Sequence, residues 1–439
     1  MTTLTIRTIL KFWLPLAGTW LMMSMEGPFL AALIARLADP KFNLAAYGVA
    51  FSFALIIEAP VIMMMTASTK LVHDNQSLIK LRQYTWVMNA VATLVMLILL
   101  IPKIFFFITL DLIGLPAEVA HLTHISTIIL IPWPGAIGYR RFYQGILIRN
   151  HATRRVAYGT VIRLFSMIST ALGLFLFTKL PGVYIGTAAL SVGVTMEAIS
   201  TRFMVRNILH RYRVAENPSE SKKALSFKAI HTFYYPLALT SILTLGVHPL
   251  VTFFVGKSVM ALESLAVLPV VGSFVFLFRG IGLSYQEAAI TLMGDNDDND
   301  RLIKRFAVMI GAILSLALMF TAFTPLARIY FSVVSGLSEE LTNLALKPLM
   351  VMAIFPATTV LIAFQRALLV KESRTSPITT ATIIEVIGII VVLYLGIMHF
   401  EMIGALAAVS AFVFGRFAAT TYLYLQLRQT QRNNSKSSD

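Results

Sequence analysis

"PGAIGYRRFYQGILIRNHAT" fills residues 134–153, and "PATTVLIAFQRALLVKESRT" fills residues 356–375. At an offset of 222, Pro134 meets Pro356, Leu147 meets Leu369, Arg149 meets Lys371 and Thr153 meets Thr375. Earlier in the chain the offset is 221. There "FWLPLA" (12–17) meets "FYYPLA" (233–238), Pro28 meets Pro249, and "LAAYGVAFSF" (44–53) meets "LAVLPVVGSF" (265–274). Matches of Leu and Ala arise easily in a chain that is 57% hydrophobic. Prolines and polar residues that keep one register do not, so the chain reads as an internal duplication.

The 439 residues are only 13% charged, about half the share of an ordinary soluble domain. A chain with so little charge must bury much of its apolar surface in lipid. Runs such as "VMNAVATLVMLILLI" do not alternate every second residue, which argues for membrane helices and against barrel strands. Apolar length, charge and turn residues predict twelve spans. They lie near 10–35, 44–70, 83–109, 119–147, 156–178, 183–206, 230–256, 260–292, 303–331, 341–369, 376–397 and 402–426. The fold class is an all-α polytopic membrane protein. A six-helix lobe spans 1–213, a polar cytoplasmic linker 214–226 and a second six-helix lobe 227–428, before a disordered cytoplasmic tail at 429–439. An even number of spans per half makes the repeat parallel, with a cavity expected between the halves.

Of the 36 Lys and Arg, twenty-two fall on the side of the N-terminal tail and seven in the opposite loops. The positive-inside rule places both termini in the cytoplasm, with the chain multi-pass in the inner or plasma membrane. This distribution assigns the net charge of +15 to topology and not to nucleic acid. The remaining seven are arginines within spans: Arg140, Arg141, Arg163, Arg202, Arg279, Arg366 and Arg416. Arg202 and Arg416, near span ends, are expected to snorkel to the interface.

Charge at membrane depth is costly, about 2.5–3.5 kcal/mol on insertion scales, and marks a partner or a cavity. The repeat register matches Glu58 with Arg279 and Arg163 with Glu385, so two matched positions carry opposite signs. Arg140, Arg141, Arg163, Arg279, Arg366, Glu58 and Glu385 are the candidates for a substrate cavity. The same charges also suit internal ion pairs that lock helices. Glu26, Glu197 and Glu287 are the remaining acids at depth and the candidates for coupling to an ion. Prolines inside spans, among them Pro15, Pro60, Pro132, Pro134, Pro269 and Pro356, predict kinks.

Other chemistries lack their motifs. "GKS" (256–258) has no glycine where a phosphate-binding loop needs its first one. "GDNDDND" (294–300) lacks the Glu of a calcium loop, and there are no cysteines. No converging catalytic set is present, so an enzyme is not expected, nor is a cofactor beyond a coupling proton or sodium ion.

The early prolines of spans 1 and 7, with the repeated "QGILIRNHAT" and "RALLVKESRT", resemble the MATE-like transporters of the multidrug/oligosaccharidyl-lipid/polysaccharide exporter superfamily. Within it, "FWLPL", "AAYGVAFS" and "FYYPLAL…HPLVTFFVGK…ESLAVL" resemble the progressive ankylosis family. The major facilitator fold fits less well, because its glycine-rich basic loop is absent after span 2. The resemblance implies two six-helix lobes in a V and a cavity that alternates between faces. It implies export of small organic solutes by a monomer in membrane lipid, driven by a proton or sodium gradient. Arginine excess within the spans leans the substrate toward organic anions. An exporter of organic cations and a flippase for lipid-linked precursors are the alternatives.

Overall fold

The computed structural model describes residues 4–214, 225–293, 297–372, 374 and 376–437, the side chains of 287, 297, 298 and 430–437 excepted. The bulk of the expected linker at 214–226, residues 294–296 of the acidic stretch at 294–300 and the Glu287 side chain therefore lie outside the described residues. The first half holds α1 (Ile6–Ser24), α2 (Glu26–Ala35), α3 (Pro40–Ile62), α4 (Met64–Leu71) and α5 (Asn75–Leu99). After these come α6 (Pro102–Phe106), a π-helical turn at Phe107–Ile113, α7 (Ala117–Ile129), α8 (Pro132–Arg149), α9 (Thr153–Phe177), α10 (Gly182–Met204) and α11 (Arg206–Val214).

The second half repeats this order from α12 (Phe227–Leu245), α13 (Val247–Gly256), α14 (Ala261–Leu283) and α15 (Tyr285–Leu292). It continues with α16 (Asp297–Ala322), α17 (Pro325–Ile329), a second π-helical turn at Tyr330–Val334 and α18 (Glu339–Met352). Last come α19 (Phe355–Lys371), α20 (Ser376–Tyr394), a third π-helical turn at Leu395–His399 and α21 (Gly404–Ser437). The tail expected to be disordered is helix as far as Ser437; nothing in 429–437 is Pro or Gly to stop it.

The duplication is written into the backbone. The first four helices of each half are 19, 10, 23 and 8 residues long. Asp39 and Met260, 221 apart, both take the left-handed conformation, with φ of 49° and 54°. Gly114 and Gly336, 222 apart, do the same at 83° and 73°, a region where glycine carries no steric penalty. The breaks at Met25 and Gly246 come one turn before Pro28 and Pro249. A proline clashes with the carbonyl four residues back, which is where α1 and α12 end. Pro15 and Pro236, by contrast, lie within unbroken helices.

Among the described residues, nine helices are long and apolar enough to cross a membrane. They are ten if Asn75–Leu99 and Pro102–Ile113, bent by 72°, form one span. Two of the twelve expected spans, 10–35 and 119–147, fall on helical stretches that are split, at Met25 and at residues 130–131. The outward faces are apolar: Phe165 on α9 and Phe320 on α16 are 73% and 64% exposed.

The chain divides into two compact units, and they are not the expected lobes 1–213 and 227–428. Unit 1 is Met1–Arg36 with Phe254–Asp439, and unit 2 is Leu37–Phe253. Each half therefore lends its opening helices to the other half's unit. The reason is a buried stripe at four-residue spacing. Ile9, Trp13 and Ala17 of α1 pack with Tyr285 and Phe306 in unit 1. Their repeat mates Ile230, Tyr234 and Ala238 of α12 pack with Met64, Leu78 and Leu81 in unit 2. Hydrogen bonds fix both: Trp13 Nε1 donates to Ser284 Oγ at 2.8 Å, and the Tyr234 hydroxyl donates to the Pro60 carbonyl.

Glycines set the closest helix approaches. A Cβ on Gly415 of α21 would lie 2.7 Å from the Glu385 carbonyl of α20. A Cβ on its mate Gly193 of α10 would lie 3.1 Å from the Arg163 carbonyl of α9. Thus the matched glycines press against the matched charged residues. Gly415→Val is expected to force α20 and α21 apart and cost about 1–3 kcal/mol, as overpacking does. Thermal melts in detergent check this, with Gly173→Val as the control, since a Cβ there meets nothing within 4 Å.

Candidate functional site

Unit 2 gathers its buried charge around Glu197 of α10, which is 1% exposed. Arg140 Nη1 donates to Glu197 Oε2 in a close ion pair, and Gln144 Nε2 donates to Oε1 at 3.0 Å. Arg140 and Gln144 sit one turn apart on α8, so a single helix face supplies both. Arg163 of α9 brings Nη1 to 3.8 Å from the same carboxylate. Thr201 and Gly159 line the rest of the approach, with a Gly159 Cβ position 3.6 Å from Oε1.

A second carboxyl lies nearby in the same unit. Glu58 of α3 is 5% exposed and accepts from Trp133 Nε1 at 2.5 Å. Arg163 bridges the two groups, its guanidinium carbon 5.9 Å from the centre of the Trp133 ring. Arg141 follows Arg140 in sequence but turns about 100° away around α8. Its Nη1 lies 3.6 Å from Met65 Sδ on α4, and its buried Nε makes no hydrogen bond. The adjacent arginines thus part company: Arg140 is bound by Glu197, while Arg141 has no carboxylate within 4.0 Å among the described residues.

Unit 1 builds the corresponding arrangement with reversed signs. Glu385 of α20 accepts from Arg416 of α21 through Nε at 2.9 Å and approaches its Nη2 at 2.8 Å. Arg416 is 8% exposed, so it pairs inside the helix layer instead of snorkelling as expected. Phe355, the repeat mate of Trp133, takes two guanidiniums against its ring: Arg416 at 5.0 Å and Arg279 at 5.2 Å. Among the described residues Arg366 reaches only Thr382 Oγ1, at 3.4 Å, and its neighbour Gln365 donates to the Thr420 carbonyl at 3.1 Å. The buried Nε atoms of Arg279 and Arg366 have no hydrogen-bond partner among the described residues. Arg279 feels the charges of Arg416, Glu385 and Arg366, so these four groups form one electrostatic cluster.

Glu26 is placed in unit 1 as the first residue of α2 and is 7% exposed. Beside it a Cβ on Gly27 would lie 2.7 Å from Ser273 Cβ, which seats this break against α14. Among the described residues no group of three or more His, Asp or Glu could hold a metal ion.

Sequence reasoning named Arg140, Arg141, Arg163, Glu58 and Glu197, and the structure brings all five together in unit 2. Arg279, Arg366 and Glu385 meet in unit 1. Gln144, Trp133, Phe355 and Arg416 were missed as site residues. The aromatic pair had a signal, since Trp133 and Phe355 share the offset of 222 that runs through this region.

The chain has the fold of several solved transporters. A multidrug resistance MATE family transporter of the MOP superfamily, solved inward-facing, matches at TM-score 0.67 and 14% identity, over 100% of this chain and 98% of that one. The lipid II flippase MurJ, solved in an inward closed conformation, matches at TM-score 0.69 and 15% identity, over 94% of this chain and 87% of that one. The eukaryotic MATE transporter AtDTX14 matches at TM-score 0.62 and 15% identity, over 95% of each chain. No protein-family model and no curated protein matches the sequence.

Removing one partner of a buried ion pair strands the other. Glu197→Gln would leave Arg140 and Arg163 without their carboxylate and is expected to cost about 3–5 kcal/mol. Arg141→Gln, which breaks no pair, is expected to cost far less. Melting temperatures of the two variants in detergent measure the difference.

Proposed function

We propose that the chain is a secondary active transporter that exports small organic anions by alternating access. One observation carries the reading: Arg141, Arg279 and Arg366 lie half-buried at membrane depth with no carboxylate within 4.0 Å among the described residues. Arg140, Arg163 and Arg416 already have a carboxylate and serve as framework. A guanidinium held in an apolar layer with unused donors is complementary to a carboxylate or phosphate. In unit 1 the Phe355 ring adds an apolar face beside two guanidiniums, which suits the carbon skeleton of an organic anion.

A proton or sodium ion is the driving species in this reading, and Glu26 is the coupling group. Glu197 is committed to Arg140, Arg163 and Gln144 and leaves the coupling set. The chain works as a monomer in the cytoplasmic membrane with both termini inside. Within the MATE-like transporters, the stretches around residues 233–268 support kinship with the progressive ankylosis family. A flippase for a lipid-linked anionic precursor is the second reading, favoured by the MurJ-like fold. It would use the same arginines on the anionic head.

Proteoliposomes test the proposal with labelled carboxylates and phosphates beside cationic dyes, under imposed proton or sodium gradients. Anions should move by counterflow, and Arg279→Gln or Arg366→Gln should slow them about tenfold or more, the loss of one charge-assisted hydrogen bond. Melting temperatures should hold. Glu26→Gln should uncouple transport from the gradient. Movement of cationic dyes with no anion moved overturns the anion assignment, and movement of a lipid-linked anion alone selects the second reading.

A further inference from the structure

Unit 2 carries a feature that the ion pairs do not use. An open crevice of about 980 Å³ runs along its surface between α5, α8 and α10. It forms because α8 sits deep. At Gly138 a Cβ would overlap the Asn89 side chain of α5, and Asn89 Nδ2 donates to the Gly135 carbonyl at 3.2 Å. Small residues such as Gly135 and Ala198 make the floor, while Trp86, Leu94 and Leu97 of α5 and Phe203 of α10 rise as walls. These four walls are 57%, 55%, 47% and 70% exposed.

The crevice has a polar end and an apolar end. Arg202 closes one end, its guanidinium carbon 5.5 Å from the centre of the Tyr143 ring. Arg82, one turn before Trp86 on α5, also acts electrostatically on Tyr143. Neither arginine has a carboxylate within 4.0 Å among the described residues. Trp86 and Tyr139 meet edge to face at 5.7 Å beside this end, one turn further along α5 and α8 from Arg82 and Tyr143. From Trp86 to Leu97 the wall is about 16 Å long at 1.5 Å per residue, close to half of a bilayer core of about 30 Å. One acyl chain of one leaflet has that length.

The basic end is also the end where the arginine-rich loops gather. Arg149 donates to the Thr69 carbonyl and Arg155 to the Met204 carbonyl at 2.5 Å, tying the ends of α4, α8, α9 and α10 together. Anionic lipids concentrate at the cytoplasmic leaflet, the side to which such residues are drawn. The scaffold itself does not require this crevice. At the offset of 222, the mates of Trp86, Tyr139 and Arg202 are Val308, Leu361 and Tyr424. The features that hold the fold recur in both halves, and this one does not.

We propose that the crevice is a binding site for one anionic phospholipid of the surrounding bilayer. An acyl chain lies in the trough over Gly135 and Ala198, and the phosphate meets Arg202 and Arg82. The reading depends on the membrane fold and on nothing assumed about the transported solute.

Trp86 is its reporter. In the full chain, Trp13, Trp20 and Trp133 are replaced by Phe, the residue that position 355 already carries opposite 133. The protein is placed in phosphatidylcholine vesicles containing dibrominated phosphatidylglycerol or dibrominated phosphatidylcholine at equal mole fractions. Quenching of Trp86 should favour the anionic lipid, and Arg82→Gln with Arg202→Gln should reduce that preference about fivefold per arginine. Equal quenching by the two lipids, or a preference that survives the double substitution, overturns the proposal. Native mass spectrometry of the unsubstituted chain from equimolar mixed micelles gives an independent reading. One retained phosphatidylglycerol supports the site, and equal retention of both lipids overturns it.

Discussion

A charge inside a bilayer is costly, and in this chain each buried cluster is anchored by an ion pair that joins neighbouring helices. Glu197 binds Arg140 and Arg163 across α8, α9 and α10, and Glu385 binds Arg416 across α20 and α21. A buried pair is weak evidence for net stability, but a broken one is strongly destabilising. The pairs therefore act chiefly as registration devices. A slide of one helix past its neighbour by a turn would strand a guanidinium in hydrocarbon. The small residues beside them have the matching role, since Gly193 and Gly415 let α10 and α21 reach the helices that carry Arg163 and Glu385.

The duplication shows what the scaffold needs and what it leaves open. Both halves keep the helix lengths, the left-handed residues at 39 and 260, and an aromatic ring at the start of α8 or α19. Neither half keeps the sign of its charges. Unit 2 places the arginine on α9 and the acid on α10, whereas unit 1 places the acid on α20 and the arginine on α21. The geometry asks for a pair between these two helices and is indifferent to its polarity. Sign is then available for function, and in this chain the surplus is cationic around both rings.

Much of this was legible in the sequence because it is local or periodic. Apolar run length gave the helices away, proline spacing the repeat, and isolated charge the residues worth attention. Matched offsets even paired Arg163 with Glu385 before any geometry. What escaped was set by long-range packing. The spacing of Ile9, Trp13 and Ala17 marks a buried face but not the surface it meets, so the exchange of α1 and α12 between units was invisible. Arg416 looked like a snorkelling residue because its depth was visible and Glu385, one helix back, was not yet adjacent. The divergence of Arg140 and Arg141 follows from helix geometry alone, yet which of them meets Glu197 depends on how α8 is rotated against α10.

The central claim is that each lobe needs a buried pair between its last two long helices and not a particular direction of charge. Exchanging the partners tests it most directly: Glu385→Arg combined with Arg416→Glu gives unit 1 the polarity that unit 2 already has. Each single substitution should lower stability by about 3–5 kcal/mol in detergent melts, and the exchange should recover most of that loss. An exchanged protein no more stable than the worse single variant would contradict the account.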